Sequence, residues 1–102
     1  MSMATLHRAG LLSSLHEGVG QVVEIDGKEI ALFRTGDRVF AIGARCPHAG
    51  GFLADGMVCG DVVVCPLHVR RVHLKTGEVE DWEVGVKTYS VVVREGEILL
   101  EL

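Results

Sequence analysis

Apolar residues in this chain come as short, often β-branched runs, most of them closed by Gly or Asp. Gln21-Val22-Val23-Glu24-Ile25 has strand length and strand composition. Asp26-Gly27 is a strong two-residue hairpin turn, and it leads into Glu29-Ile30-Ala31-Leu32-Phe33. Thr35-Gly36-Asp37 turns the chain again, into Arg38-Val39-Phe40-Ala41-Ile42. Met57-Val58-Cys59 and Val62-Val63-Val64 flank Gly60-Asp61, a second two-residue hairpin signal. Tyr89-Ser90-Val91-Val92-Val93, a turn at Glu95-Gly96 and Ile98-Leu99-Leu100 complete the pattern. Only Leu11 to His16 has helical spacing, with leucines at 11, 12 and 15 giving a turn or two. The pattern predicts an all-β fold of small antiparallel sheets, and the length of 102 residues predicts one domain over 1–102.

Composition narrows the functional classes. At 48% hydrophobic and 24% charged the chain can bury a core, which excludes general disorder. The core of so small a domain is thin, so a bound metal centre would add to its stability. The net charge is −4 and the basic residues form no long run, which argues against nucleic acid as a partner. No apolar run is longer than four residues, Val62–Cys65 being one, so no segment reads as a membrane span. Met1 to Gly10 has no apolar stretch of signal-peptide length, and the expected compartment is the cytosol. Three cysteines cannot all pair within the chain, and a reducing compartment favours metal ligation over disulfides.

The candidate chemistry lies in Cys46-Pro47-His48 and Cys65-Pro66-Leu67-His68, with sixteen residues between His48 and Cys65. A cysteine taken alone is usually a small buried hydrophobe. Here two thiolates and two imidazoles make a complete four-ligand set. The hairpin at Gly60-Asp61 would return the chain to its starting point and bring the two segments side by side. Pro47 and Pro66 fix φ beside the ligands, while Gly50 and Gly51 let backbone amides approach closely. Amides aimed at sulfur would stabilise its negative charge. Zinc could also use such a set. Classical zinc fingers, however, group Cys with Cys and place the His pair on a helix, whereas here the types alternate and no such helix is expected.

With Arg45-Cys46-Pro47-His48-Ala49-Gly50-Gly51 and Val64-Cys65-Pro66-Leu67-His68, the chain from about Gly20 to Leu102 resembles Rieske-type [2Fe–2S] ferredoxins and small subunits. The resemblance implies three small antiparallel sheets, with one [2Fe–2S] cluster held by two loops at one tip. It implies that Cys46 and Cys65 bind the inner iron and His48 and His68 the outer iron. The implied function is one-electron transfer. Two ferric ions, two sulfides and two thiolates sum to zero charge, so such a centre accepts an electron more readily than an all-cysteine cluster. Gly51 and Leu67 occupy the positions of the loop-bridging disulfide found in high-potential members. Arg70 stands near the place of a Ser that donates to sulfide. Both features imply the low end of the Rieske range, roughly −150 mV.

Two flanking segments, Leu53-Ala54-Asp55-Gly56-Met57-Val58 and Val84-Gly85-Val86-Lys87-Thr88-Tyr89, are similar to small subunits of assimilatory NAD(P)H nitrite reductase. That likeness implies a flavin and sirohaem large subunit as redox partner and a place in nitrate assimilation. The alternative is a free-standing ferredoxin working with the reductase and oxygenase components of a ring-hydroxylating dioxygenase. A structural zinc module and a metal-free interaction subunit are further readings. The sequence departs from the family pattern at Phe52, Val69, Val72 and His73, which concerns tuning of the site and removes no ligand.

Other residues carry weaker signals. Cys59 reads as a packed thiol in the proposed hairpin, and His73 as a surface or partner-facing side chain. His7 and His16 belong to no motif. Arg70, Arg71 and Lys75 form either a solvated strand edge or a steering patch for an acidic partner. Trp82, within the acidic stretch Glu78–Glu83, is either a partner anchor or a side chain packed beneath the loops. Nothing resembles a catalytic triad, a phosphate loop or a carboxylate pair.

Overall fold

The strand Lys28–Thr35 organises the molecule because both of its faces are buried. In the computed structural model, which describes residues 5–45, 51–65, 70–80 and 83–102, Ile30, Ala31, Leu32 and Phe33 are all at most 1% exposed. Successive side chains on a strand point to opposite faces. Ile30 and Leu32 therefore enter one apolar cluster, and Ala31 and Phe33 enter another. An unbroken apolar run is the sequence sign of a strand covered on both sides.

The strands are β1 (Leu6–Leu11), β2 (Gln21–Ile25), β3 (Lys28–Thr35), β4 (Arg38–Gly43), β5 (Met57–Cys59), β6 (Val62–Val64), β7 (Arg71–His73), β8 (Thr88–Arg94) and β9 (Glu97–Glu101). The described residues contain no α-helix. All pairings between these strands are antiparallel. Two three-stranded sheets, β1-β9-β8 and β2-β3-β4, join through Ala41↔Tyr89 and Ile42↔Thr88. Their outer edges meet where His7 approaches Asp26 at 3.6 Å. All six strands of this joined sheet contribute to the first cluster, with Leu15 buried alongside Ile30, Leu32, Ile98 and Leu100. A third sheet, β5-β6-β7, lies over the other face of β3 and β4 and completes the second cluster.

The expected strands and turns appear with small changes of boundary. Asp26 and Gly27 both have positive φ, 53° and 76°, as a type I′ hairpin turn demands. Glu95 and Gly96 repeat the arrangement at 52° and 77°. Two differences stand out. The turn or two expected over Leu11 to His16 is one 3₁₀ turn, Leu12–Ser14, and Leu11 instead ends β1. Strand β1 was not expected, because His7-Arg8-Ala9-Gly10 carries little apolar signal and the register shifts between Arg8 and Gly10. It is a strand because β9 offers it a partner edge.

Candidate metal centre

The residues that flank two chain segments lie in or beside the second apolar cluster, and backbone contacts join each pair of flanks. The first spans 46–51. Its ends are joined by an antiparallel bridge between Arg45 and Phe52, and the Leu53 N–H donates to the Ala44 carbonyl at 2.8 Å. The Arg45 guanidinium also lies 3.9 Å from the centre of the Phe52 ring. Arg45 is fixed from the other side by Glu29 at 3.1 Å. The second segment spans 66–69. Its base is the Cys65 N–H donating to the Arg70 carbonyl at 2.8 Å.

The two bases share one core. Ala44 and Leu53 from the first, and Cys65 from the second, are at most 1% exposed and belong to the same apolar cluster. The β5–β6 hairpin brings this about through the register Met57↔Val64, Val58↔Val63 and Cys59↔Val62. The turn at Gly60-Asp61 therefore does what its sequence indicates. It folds Cys65 back beside the segment that follows the first loop.

Among the proposed ligands, Cys65 lies within the described residues, and its thiol is fully buried at the end of β6. Cys46, His48 and His68 fall outside the described residues, as do Pro47, Gly50, Pro66, Leu67, Val69 and Trp82. Among the described residues no group of three or more His, Cys, Asp and Glu side chains is placed to hold a metal. The residues present still fit an iron–sulfur cluster. A buried thiol stands beside one segment, a flank of the other packs in the same cluster, and the sequence-expected partners of that thiol are one further cysteine and two histidines.

The neighbouring residues divide clearly. Cys59 is an exposed thiol, not a packed one, because odd positions of β5 face outward and only Val58 faces the core. His73 pairs with Glu80 at 3.1 Å on the outer face of β7, in keeping with its reading as a surface residue. Arg71 is exposed, and Lys75 pairs with Asp61 at 3.5 Å, so both sit on a solvated rim. Val72 is fully buried and contributes a core contact rather than tuning from the surface. Sequence reasoning overlooked the two loop necks, Arg45 with Phe52 and Gly56 against Val64. Their signal was weak, since neither an arginine seven positions before a phenylalanine nor a glycine eight positions before a valine announces a contact.

Two chain segments whose flanks pack into one apolar cluster of an all-β domain, with a buried cysteine at one flank, make the class a small antiparallel domain with a candidate metal centre. The description of a Rieske-like [2Fe–2S] domain matches residues 7–101, and the chain belongs to that family. It is 30% identical over 96 residues to the ferredoxin component of the naphthalene 1,2-dioxygenase/salicylate 5-hydroxylase systems of Ralstonia sp., covering 92% of each chain. Among solved structures it is similar to the ferredoxin of carbazole 1,9a-dioxygenase from Nocardioides aromaticivorans IC177, at 36% identity and a TM-score of 0.87 over 94% of this chain and 96% of that one. It is also similar to a protein described as an NADH-dependent nitrite reductase small subunit from Mycobacterium tuberculosis. There the identity is 28% and the TM-score 0.91, over 99% of this chain and 97% of that one. The chain is a Rieske-type electron-transfer protein with a [2Fe–2S] cluster and redox partner proteins. No helix among the described residues is long and apolar enough to cross a membrane.

Proposed function

We propose that the whole chain, 1–102, is one cluster-bearing domain that passes single electrons between two partner proteins. Cys46 and Cys65 hold the inner iron, and His48 and His68 hold the outer one. When bound, the cluster supplies a site that takes up and gives back one electron. The carrying observation is the full burial of the Cys65 thiol in the same apolar cluster as the root of the opposite loop. Burial keeps water from the inner side of the site, and the Cys65 amide is held in place by Arg70. The test is anaerobic purification with iron analysis and EPR. A red-brown protein with about two irons per chain and a signal that His68→Ala abolishes is expected. A colourless protein with stoichiometric zinc would overturn the reading.

The partner we favour is a nitrite reductase large subunit with flavin and sirohaem. Support comes from the similarity to the Mycobacterium tuberculosis small subunit over 99% of this chain, together with the Leu53–Val58 and Val84–Tyr89 segments. The second reading, a ferredoxin for a ring-hydroxylating oxygenase, draws on the 30% and 36% identities to dioxygenase ferredoxins. Mixing the reduced protein with each acceptor and timing its reoxidation separates them, since only the true partner should oxidise it rapidly. A reducing cytosol suits both readings, and it suits an exposed free thiol at Cys59.

A further inference from the structure

We propose that Gly20 and Gly56 are positioning residues that set the spacing between the two ligand loops by letting backbone pass against backbone. The inference rests on the proposed ligand set. Between Phe52 and β5 runs a 3₁₀ turn, Leu53–Asp55, which carries the tail of the first loop. Gly56 ends it at φ −79° and ψ 170°, a conformation open to any residue, so backbone torsion does not explain the glycine. Space does. A Cβ at Gly56 would overlap the Val64 carbonyl oxygen and stand 3.0 Å from Val63 Cγ2 and 3.1 Å from Leu53 O.

The Val64 carbonyl belongs to the same rigid peptide plane as the Cys65 N–H. That N–H closes the second loop by donating to Arg70 O at 2.8 Å. Any group that displaced the Val64 oxygen would tilt the Cys65 amide and move the thiol with it. Gly20 closes the other side of the same turn. A Cβ there would lie 2.6 Å from Phe33 Cε1, 2.7 Å from Ala54 Cα and 2.8 Å from Ala54 O. The turn that follows the first loop is thus clasped between Gly20 and the peptide that precedes Cys65. A cluster has fixed dimensions, so the separation of its two loops is part of its ligand geometry. Residues outside the ligand set that orient ligands commonly change metal retention tenfold or more.

The test compares full-length, anaerobically loaded Gly56→Ala and Gly20→Ala with Gly43→Ala. A Cβ at Gly43 would meet nothing closer than 3.9 Å, so this variant is the control. The readings are the EPR g-values of the reduced protein and the rate of bleaching under a chelator, with circular dichroism reporting the fold. Folded Gly56→Ala should show shifted g-values and about tenfold faster bleaching. Gly20→Ala should move in the same direction, and the control should match wild type. If Gly56→Ala does not fold, Gly20→Ala decides. Unchanged g-values and bleaching in the folded variants would overturn the inference. So would equal changes in the control, or loss of fold in both variants, because the glycines would then serve the fold and not the spacing. A wild-type protein without a cluster would instead overturn the functional reading, and this inference with it.

Discussion

Arg45 and Phe52 are joined twice, once as backbone bridge partners and once by the Arg45 guanidinium lying 3.9 Å from the centre of the Phe52 ring. They close the neck of the first loop, and Glu29 holds the arginine from behind at 3.1 Å. Phe52 thus has a structural use here. A ring in that place gives the cation a face to rest on.

Replacing Phe52 by Leu keeps apolar bulk but removes the ring. We expect a loss of about 0.5–1 kcal/mol, the usual worth of an exposed cation–π contact. Chemical denaturation of the loaded protein measures it. A Phe52→Leu protein as stable as wild type would show that the stacked pair adds nothing to the neck.

The two described cysteines should behave as opposites. Cys59 is exposed and Cys65 is fully buried. Cys59→Ser should leave iron content unchanged and stability within about 0.5 kcal/mol, the usual range for surface substitutions. Cys65→Ser should abolish normal cluster binding. Iron-to-protein ratios of the two purified variants decide the matter, and a loss of iron in Cys59→Ser would reverse the assignment.

Phe33 is the largest fully buried side chain, and it faces Phe40 across β3 and β4 on the side turned toward the small sheet. Phe33→Ala should cost about 3–5 kcal/mol through lost burial and the cavity left behind. Since this cluster also holds Leu53 and Cys65, the same variant should lose its cluster faster than wild type. Denaturant midpoints and bleaching rates report the two effects separately.

Lys75 and Asp61 form a rim pair at 3.5 Å, with both side chains about half exposed. Lys75→Ala should change stability by at most about 1 kcal/mol. Its larger effect should be on association with an acidic redox partner, as a slower on-rate whose difference from wild type fades at high salt. Stopped-flow measurements at two salt concentrations distinguish this from a purely solvated role, for which no difference in rate is expected.

Much of the architecture was legible because local rules coincide with the fold. Asp26-Gly27 and Glu95-Gly96 are hairpin turns in the structure, and the positive φ each turn requires is suited to Gly27, Gly96 and Asp26, while Glu95 adopts it against its preference. The unbroken apolar run from Ile30 to Phe33 is legible as a strand covered on both sides, but its sequence alone does not say which elements build the two cores it serves. Strand β1 escaped notice because its pairing with β9 joins the two ends of the chain, and no local pattern records such a partner. Cys59 was misread because burial of a three-residue strand depends on which face meets the core.

The sequence by itself determined the turns, the likeness to the Rieske family and which residues are offered as ligands, since these depend on residue identity and short spacing. Only the tertiary structure decided that the roots of both loops share one apolar cluster, that Cys65 is sealed from water, and that Gly56 touches the peptide leading to it. The reason is physical. Residue identity fixes which bonds a side chain can make, whereas distances between segments far apart in the chain follow from how whole sheets pack.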